Sequence, residues 1–457
     1  MIQEIHQKQS QYQQEIFPMT TKRRKLLLKT LASQIERHRK NIQSALRLDL
    51  GKSTYEADIA EIDYCLQDIK HTLKSIDSWA KPQKVKTPIL VQPGTSYVHA
   101  EPLGKVLVIA PWNYPFQLLI APLISALAAG NSVCLKPSEV SHHTAIAIEN
   151  MIKEAFKPEE VAVVQGGVEE TTELLNLNWD HIFYTGNSHV AKIVMTAAAK
   201  HLSPVTLELG GKSPCFVFDI DASLTKAARR IVWGKFFNTG QTCVAPDYIL
   251  CQEKDKDKLV SLLWEQITNF YGNEIKESPD YGRIINAKHF DRLSKLINKD
   301  EILKGGNTDR DSLFIEPCIL ECTADSPAMQ EEIFGPILPI IVVKDKQQAI
   351  EFVKKGDKPL AAYIFTDSNS TEKLFRNKIS SGGMTTNDCL VHLMNQDLPF
   401  GGVGVSGMGS YHGKFGFDRL SHQKAYLKRS FFMDIDLRYP PYEGKLAKLK
   451  KIMSLIP

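Results

Sequence analysis

Residues 105–135 of the chain read KVLVIAPWNYPFQLLIAPLISALAAGNSVCL. Short β-branched runs flank a long apolar run, so the stretch predicts a strand over Val106 to Ala110, a helix over Phe116 to Ala129 and a strand over Ser132 to Leu135. Two strands joined through a helix run parallel in one sheet. The stretch therefore predicts an α/β fold in which helices cover both faces of a parallel sheet.

The alternation continues downstream of this stretch, with predicted elements at helix Ser141 to Phe156, strand Val161 to Gln165, strand His181 to Tyr184, helix Ser188 to Lys200 and strand Val205 to Leu209. A second α/β series then runs through strand Pro214 to Phe218, helix Ser223 to Phe237 and strand Ile337 to Val343, ending near Thr386. Two α/β domains are therefore expected, each with its own sheet.

Upstream, apolar residues at helical spacing predict helices in the first eighty residues. Pro82 and Pro88 end that spacing, and Ile89 to Glu101 predicts an extended arm that leaves the domain body.

Composition excludes several classes of function. A chain of 457 residues with 43% hydrophobic and 24% charged residues is typical of a soluble globular protein of two or three domains. Basic and acidic residues number 56 and 52 and are spread along the chain, so no nucleic-acid footprint is expected. The start is polar and lacks a signal peptide, and the apolar run Leu118 to Ala129 is too short to span a bilayer, so a cytoplasmic location is predicted.

The eight cysteines have no dense framework of short spacings, which favours reduced thiols over disulfides. Cys318 and Cys322 form a close pair, but their spacing does not fit a metal motif, and two structural cysteines with no metal site are expected.

Gly402 to Gly407 satisfies the dinucleotide pattern GxGxxG letter for letter. The fingerprint requires a preceding strand and a following helix, whereas Pro399-Phe400 precedes this run and irregular sequence follows it. We interpret it as a loop in which backbone segments approach closely, not as a nucleotide site.

Three residues are candidates for chemistry. Cys243 follows a predicted helix on a loop of small residues, where its thiol could meet a substrate, although a lone cysteine is more often a buried hydrophobe. Glu208 ends a strand among apolar residues, where burial would raise its pKa toward that of a general base; pairing with a structural cation is the alternative. Asn113, at a turn between strand and helix, is either a local cap or an oxyanion donor.

Two further strand ends could meet a cofactor. Lys136 and Glu139 follow the strand Ser132 to Leu135 and could reach a ribose, or they are solvated turn charges. Thr185 to Ser188 opens a helix whose free amides could face a pyrophosphate, and a plain helix cap is the alternative.

Together these segments resemble the aldehyde dehydrogenase superfamily over nearly the whole chain and in the family's order. The segments that carry the resemblance are Asn238 through Pro246, Leu207 to Gly211, Pro111 to Pro115, Glu331 to Pro336 and Pro399 to Gly402. The short amino terminus and the segment Ser406 to Gly413 are similar to the class-3 branch, which includes fatty aldehyde dehydrogenases, in a bacterial-type member.

The resemblance implies an NAD(P)-dependent oxidation of an aldehyde to a carboxylic acid. Cys243 is the implied nucleophile that forms a thiohemiacetal and then a thioester, Glu208 the base that activates the hydrolytic water, and Asn113 the oxyanion donor. The implied cofactor contacts are Lys136 and Glu139 at the adenosine ribose, Gly186 and Val190 at the pyrophosphate, Glu332 and Phe334 at the nicotinamide ribose and ring, and Trp112, Asn187, Leu209 and Gly210 nearby.

The cofactor preference stays open between NAD and NADP. Glu139 would repel a 2′-phosphate and favours NAD, whereas class-3 enzymes often accept both. The pyrophosphate loop also departs from many members, with Asn187, His189 and Ala191 where those carry Ser, Glu and Gly.

The resemblance also implies a Rossmann-type NAD(P)-binding domain at residues 1–81 and 102–207, a catalytic domain at 208–393, and oligomerisation segments at 82–101 and 394–432 that make a homodimer. In the tail, residues 433–457, a basic amphipathic helix is predicted from Leu446, Leu449, Ile452, Met453 and Ile456 on one face and Lys445, Lys448, Lys450 and Lys451 elsewhere. Such a helix rests on an anionic membrane or docks on the protein itself.

Other functions remain open at this point. A CoA-acylating relative would release the thioester to coenzyme A and would not need Glu208. A cofactor-independent cysteine esterase could use the same thiol and base, and a non-catalytic protein of the same fold would not need the intact set of catalytic residue types. The class-3 resemblance favours medium- to long-chain apolar aldehydes, including fatty, isoprenoid or carotenoid ones.

Overall fold

Helices form the first eighty residues of the computed structural model, which describes residues 1–434 and 436–454. They are α1 Ile2–Ile16, α2 Thr21–Leu50, α3 Thr54–Ala57, the π-helical turn Asp58–Ile62 and α4 Asp63–Ala80. The helix α2 begins where the Thr20 side chain accepts a hydrogen bond from Arg23 N, and it ends at Gly51 in the left-handed region. Of the apolar residues whose spacing predicted this helix, Leu27, Leu31 and Ile35 are buried, whereas Leu26 is 50% exposed, so the helix is confirmed and Leu26 lies outside its buried stripe.

The arm follows, with β1 Gln83–Val85, a 3₁₀ turn at Ile89–Val91 and β2 Gly94–Pro102. The extended conformation predicted from Ile89 to Glu101 therefore starts five residues later than expected. Pro88, which ends the predicted helical spacing, directly precedes the short 3₁₀ turn in the structure.

The first α/β series agrees with the sequence-based elements to within two residues at each end, except that it also contains a helix, Val168–Leu175, that was not predicted. Its elements are β3 Lys105–Ile109, α5 Gln117–Ala129, β4 Ser132–Lys136, α6 His142–Ala155, β5 Val161–Val163, α7 Val168–Leu175, β6 His181–Thr185, α8 Ser188–Ala199 and β7 Val205–Glu208. These five strands are parallel in the order β7-β6-β3-β4-β5. The carboxyl ends of β3, β4, β6 and β7 thus meet at one edge, where a ligand would bind.

The second α/β series begins immediately after β7. Its elements are β8 Pro214–Val217, α9 Leu224–Phe236, β9 Tyr248–Cys251, α10 Glu253–Tyr271, α11 Ala287–Ser294, β10 Ile302–Gly305, β11 Thr308–Asp309, β12 Phe314–Ile315, β13 Cys318–Glu321, α12 Pro327–Gln330, β14 Ile337–Val342, α13 Lys346–Lys355, β15 Ala361–Phe365, α14 Asn369–Lys378 and β16 Gly383–Thr386. The sheet order is β10-β13-β14-β9-β8-β15-β16, parallel except for β10.

The chain then returns to the first sheet and to the arm through β17 Gly407–Met408, α15 Gly413–Arg419, β18 Ser421–Arg429 and the tail helix α16 Lys445–Met453. The strand β17 adds antiparallel to the edge strand β7, with Gly407 opposite Glu208. The strand β18 pairs antiparallel with β2 over nine residues, which makes a three-stranded sheet with β1.

The Gly402 to Gly407 run is a loop of close backbone approach, as the sequence predicted. A Cβ atom on Gly402 would lie 2.0 Å from Ser406 O, and Leu209 N donates a hydrogen bond to the same oxygen at 3.1 Å. The loop thereby joins the C-terminal segment to the end of β7.

Within residues 1–434 and 436–454, no helix is both long enough and apolar enough to cross a membrane. Ile456, which completes the predicted apolar face of the tail, lies outside the described residues.

Candidate active site

Cys243 follows a backbone loop in an unusual conformation. The 3₁₀ turn Phe237–Gly240 continues α9, and its residues Asn238 and Thr239 have φ angles of 52° and 56°, which non-glycine residues rarely adopt. Gly240, at φ 74°, passes so close to the next segment that a Cβ atom there would lie 2.3 Å from Gly335 O. Such a loop persists only where its surroundings hold it in place.

Side-chain hydrogen bonds hold this loop. Asn238 Nδ2 donates to Asn113 O at 2.8 Å and to Gln241 O at 3.1 Å. Gln241 Nε2 donates to Asn238 O at 3.2 Å and to Arg283 O at 3.0 Å, while Gln241 Oε1 accepts from Ile285 N. The loop is thus tied to the β3–α5 turn on one side and to the segment before α11 on the other.

Cys243 is partly exposed, and the other seven cysteines are buried. Its neighbours along the chain are fixed, because Tyr114 Oη and Thr242 Oγ1 lie 2.7 Å apart and Tyr363 Oη donates to Val244 O. Burial raises the pKa of the Cys243 thiol, and the charges of Glu332 and Glu208 raise this pKa further. The two carboxylates therefore lie near enough to the sulfur to influence its ionisation.

Glu208 ends β7 and is 2% exposed. Neither of its carboxylate oxygens has a hydrogen-bond partner among the residues that the structure describes, and burial raises its pKa well above the usual value. The alternative interpretation would require a lysine or arginine paired with Glu208, and no such side chain is hydrogen-bonded to Glu208 in the described part of the chain. An unpartnered carboxylate with a raised pKa suits a general base.

Asn113 lies on the turn between β3 and α5 and is also 2% exposed. Its Nδ2 donates to Gln241 O at 3.0 Å, two residues before Cys243. An amide nitrogen carries two protons, so this contact leaves one N–H for another acceptor. The structure thus brings Asn113 to the nucleophile loop from a position 130 residues upstream.

Lys136 and Glu139 lie at the end of β4, two strands away from β6 and three from β7. Lys136 is 2% exposed, and its Nζ lies 2.8 Å from Pro137 O and 3.4 Å from Glu139 Oε2. A cavity of about 290 Å³ opens beside them and is lined by Pro137, Ser138, Glu139, His142, Gln165 and Gly166. No residue of the Cys243 loop lines this cavity.

The β6–α8 turn lies between that cavity and Glu208. Gly186 N donates to Glu208 O at 3.0 Å, and a Cβ atom on Gly186 would collide with the Tyr184 hydroxyl. Asn187 caps α8, because its Oδ1 accepts from Val190 N at 3.0 Å. The remaining free amides of this helix end can face an anion.

Glu332 and Phe334 belong to the segment that passes close to the Cys243 loop at Gly240, and Phe334 contacts Trp112. A Cβ atom on Gly210, which follows Leu209, would lie 1.9 Å from Glu332 Oε2, so glycine lets the carboxylate lie over the backbone. Burial and the charge of Asp247 raise the pKa of Glu332 to about 8. Trp112 meets Phe334 edge to face at a centroid distance of 5.4 Å.

The chain matches the family model described as "Aldehyde dehydrogenase family" over residues 2–426. The chain belongs to the aldehyde dehydrogenase family. It is therefore an oxidoreductase that oxidises aldehydes with NAD(P), and the fold and activity implied by the motifs are confirmed.

Four relatives of known name or structure are similar to this chain. The chain is 48% identical over 431 residues to a 4,4'-diaponeurosporen-aldehyde dehydrogenase of Staphylococcus aureus, covering 93% of this chain and 94% of that protein. It is 48% identical over 424 residues to the dimeric NADP-preferring aldehyde dehydrogenase of Rattus norvegicus, covering 92% and 93%. A solved substrate-bound state of Staphylococcus aureus AldH superposes with a TM-score of 0.97 at 44% identity over 99% of both chains. A family 3 member A2 enzyme of Pongo abelii, 47% identical, supports the class-3 branch.

The residues of this aldehyde dehydrogenase fit the dinucleotide that the family uses. The buried Lys136 ammonium, the cavity beside Glu139, the α8 helix end and the glycine cradle under Glu332 lie at the carboxyl ends of strands, where dinucleotides bind in such sheets.

Sequence reasoning missed four residues of this site, namely Lys52, Glu61, Asn238 and Gln241. Lys52 Nζ donates to Asn113 O, and Glu61 accepts from the first backbone amides of α5. The motif around Cys243 could have pointed to Asn238 and Gln241, because both are polar residues in a loop that must be held. Lys52 and Glu61 carry no local signal, since they lie in an ordinary polar helical region some sixty residues upstream.

Replacing Glu332 by Gln should speed the alkylation of Cys243 by iodoacetamide above pH 8. The charge of Glu332 opposes the thiolate, and its pKa of about 8 means that this charge is present only above that pH. We expect a rise of roughly threefold or more there, since one pKa unit corresponds to about a tenfold change in thiolate, and little change below it. Mass spectrometry of the labelled protein measures the rate.

Glu331→Gln is the matched control, because its side chain is exposed and does not contribute to the pKa shift of Cys243. An unchanged rate in Glu332→Gln above pH 8, or an equal rise in Glu331→Gln, would contradict the inferred proximity.

Proposed function

We propose that Cys243, Glu208 and Asn113 carry out the aldehyde oxidation. The observation that supports this is their convergence: Asn113 bonds to the backbone of the Cys243 loop, and the charge of Glu208 affects the Cys243 thiol. All three residue types match the chemistry of a thioester mechanism.

In the first step the Cys243 thiolate attacks the aldehyde carbon, so that a C–S bond forms and the C=O π bond becomes an oxyanion. The second N–H of Asn113 Nδ2 and the backbone N–H of Cys243 stabilise this oxyanion. A nicotinamide held beside Glu332 and Phe334 would supply the hydride acceptor, and loss of hydride from the tetrahedral adduct leaves a thioester on Cys243. Losing one oxyanion donor typically costs roughly 10²- to 10³-fold in rate.

In the last step Glu208 takes a proton from a water molecule that attacks the thioester carbon. The C–S bond breaks, the acid leaves, and the Cys243 thiolate is regenerated. The raised pKa of Glu208 makes its ionised form a stronger base than an exposed carboxylate. A CoA-acylating enzyme would not need this base.

We infer that Lys136 and Glu139 contact the adenosine ribose, that Gly186, Asn187 and Val190 hold the pyrophosphate, and that Trp112, Leu209, Gly210, Glu332 and Phe334 surround the nicotinamide ribose and ring. The carboxylate of Glu139 favours NAD, with NADP also accepted. The NAD(P)-binding domain then comprises residues 1–81 and 102–207, and the catalytic domain residues 208–393.

The Glu208→Gln variant should accumulate the thioester. We expect a burst of one NADH per site followed by turnover slowed by about 10²- to 10⁴-fold, the usual range for loss of a general base. Stopped-flow absorbance measures the burst, and mass spectrometry after acid quenching locates the acyl group on Cys243. The exposed Glu173→Gln should behave like the wild type.

Cys243→Ala should lack both dehydrogenase and esterase activity but still bind cofactor, and retained turnover would refute its role as nucleophile. Formation of acyl-CoA instead of free acid would favour the CoA-acylating alternative, and ester hydrolysis without any aldehyde-dependent NADH would favour the esterase.

We further propose that the substrate is a medium- to long-chain apolar aldehyde of fatty, isoprenoid or carotenoid type. The Staphylococcus aureus relative is named for a carotenoid-type aldehyde. The nucleophile also has apolar surroundings, because the partly buried Cys243 packs against the large hydrophobic cluster of the structure.

The tail supports the same proposal. Helix α16 has no buried residue, Leu446 and Met453 are 62% and 53% exposed, and Phe431 and Phe432 are highly exposed. Four lysines of this helix accompany its apolar side chains. We infer that the tail rests on an anionic membrane at the cytoplasmic face and brings the enzyme to lipid-borne aldehydes.

The value of kcat/KM should rise with chain length across a series of alkanals, aromatic aldehydes and a polyene aldehyde measured with NAD and NADP.

The Lys448→Glu/Lys451→Glu variant should bind phosphatidylglycerol vesicles roughly tenfold or more weakly than the wild type, since each basic residue near such a surface contributes about 1 kcal/mol. Its rate on vesicle-borne decanal should fall while its rate on propanal stays unchanged. Vesicle sedimentation and NADH absorbance measure these effects.

Lys354→Glu/Lys355→Glu, on the exposed end of α13, is the matched charge control. A preference for short polar aldehydes would refute the apolar substrate, and equal vesicle binding by both charge variants would refute the membrane contact.

We also propose that the enzyme is a homodimer that contacts its partner through β18. This strand lies at the edge of its sheet, most of its residues are exposed, and unpaired strand edges in native proteins are usually covered. The rat relative is named as dimeric.

Sedimentation equilibrium should give twice the 51.4 kDa of the chain. The Tyr426→Glu/Leu427→Glu variant should shift the mass toward the monomer, because both side chains are nearly half exposed on β18. Leu48→Glu, at an exposed position of α2, should not. A monomeric wild type would refute the dimer.

A further inference from the structure

A buried ion pair from the N-terminal helices reaches the candidate active site. Lys52 follows the end of α2 and is 1% exposed at its side chain, and Glu61 lies on the π-helical turn with 0% exposure. Lys52 Nζ donates a hydrogen bond to Glu61 Oε1. Neither residue contacts the aldehyde in the mechanism proposed above.

The second oxygen of Glu61 holds the start of α5. Glu61 Oε2 accepts from Phe116 N at 2.9 Å and from Gln117 N at 3.2 Å. These amides have no partner within the helix, and a negative charge is favourable at a helix N-terminus. Glu61 therefore fixes where α5 begins, four residues after Asn113.

Lys52 holds Asn113 itself. Its Nζ donates to Asn113 O at 3.0 Å and lies 4.1 Å from the centroid of the Tyr114 ring. Asn113 O also accepts from Asn238 Nδ2 at 2.8 Å, so one carbonyl joins the ion pair to the strained nucleophile loop. Pro111 and Pro115 flank this turn and have no N–H to donate, so fewer backbone hydrogen bonds are available to hold it.

We propose that Lys52 and Glu61 are positioning residues that hold the Asn113 amide toward the substrate oxygen. This inference rests on the proposed oxyanion role of Asn113. A buried ion pair is a weak source of stability, whereas a donor at a catalytic site must be held within about 0.5 Å of its productive position. The pair supplies this precision by fixing the carbonyl of Asn113 and the backbone amides of Phe116 and Gln117 that follow it.

The test is a double-mutant cycle between the ion pair and Asn113. Lys52→Met/Glu61→Gln removes both charges together, and its glutamine oxygen can still accept from the α5 amides. We expect kcat to fall by about 10- to 100-fold for both aldehyde oxidation and ester hydrolysis, since a misplacement of about 1 Å can cost 10²-fold. The KM for aldehyde and the Kd for cofactor should stay within about twofold, because the pair touches neither ligand.

In an Asn113→Ala background the same double change should lower kcat by less than about twofold, since residues that act through one another are not additive. Lys52→Arg keeps a charged donor opposite Glu61 and should restore much of the kcat lost in Lys52→Met. A matched control is Arg23→Met/Glu160→Gln, which removes the ion pair between α2 and the segment before β5 and should lower Tm without changing kcat.

The outcomes separate the two hypotheses. If Asn113→Ala leaves kcat unchanged, the oxyanion role fails. If Asn113→Ala slows the enzyme and loss of the ion pair slows it further by its full factor, the positioning role is overturned and the mechanism stands. A wild-type kcat in Lys52→Met/Glu61→Gln also overturns the positioning role. So does a kcat in Lys52→Arg that is as low as the kcat in Lys52→Met.

Discussion

The left-handed backbone at Asn238 and Thr239 is the constraint on which the candidate site depends. Two consecutive non-glycine residues at φ angles near 50° cost of order 1–3 kcal/mol each, so the loop needs external support. The amides of Asn238 and Gln241 provide it by bonding to the β3–α5 turn and to the segment before α11. Because of this arrangement, the position of Cys243 is set by segments of the chain that lie far from it in sequence.

The same burial that orders the site controls its acid–base chemistry. Glu208, Glu332 and Cys243 are all shifted toward their protonated forms, and desolvation is the first cause in each case. A thiol in such surroundings ionises less readily than a free cysteine, and the two carboxylates oppose its charge further. A negative charge on the Cys243 sulfur and a negative charge on a nearby carboxylate therefore disfavour each other. This suits a mechanism in which Cys243 acts as the nucleophile first and Glu208 acts as the base in a later step.

The sequence predicted the elements whose hydrophobic pattern is local. Strand β3, helix α5 and strand β4 were located to within two residues, because apolar periodicity directly encodes a buried strand or helix. Helix α7, Val168–Leu175, was not predicted, since it is short and mostly polar and buries only Leu174 and Leu175. The motifs located Cys243, Glu208 and Asn113, but their mutual placement needed the fold.

Contacts between distant segments could not be predicted for a related reason. Strand β17 is two residues long and pairs with the edge of a sheet that ended two hundred residues earlier, so no periodicity marks it. Likewise, Lys52 and Glu61 stand in a polar helical region whose ordinary interpretation is a solvated face. What distinguishes them is complete burial, and burial of a charged pair depends on which helices pack together.

These long-range contacts explain why both ends of the chain belong to the site. The N-terminal helices hold the β3–α5 turn, while the C-terminal glycine loop holds β7, since Leu209 N donates to Ser406 O and Gly407 pairs with Glu208. The oxyanion donor and the base therefore lie on strand ends fixed from opposite ends of the sequence, with the nucleophile loop between them. Because β18 comes directly after the helix that follows this glycine loop, the arm strand β2, which pairs with β18, is linked by a short stretch of chain to the segment that pairs with Glu208.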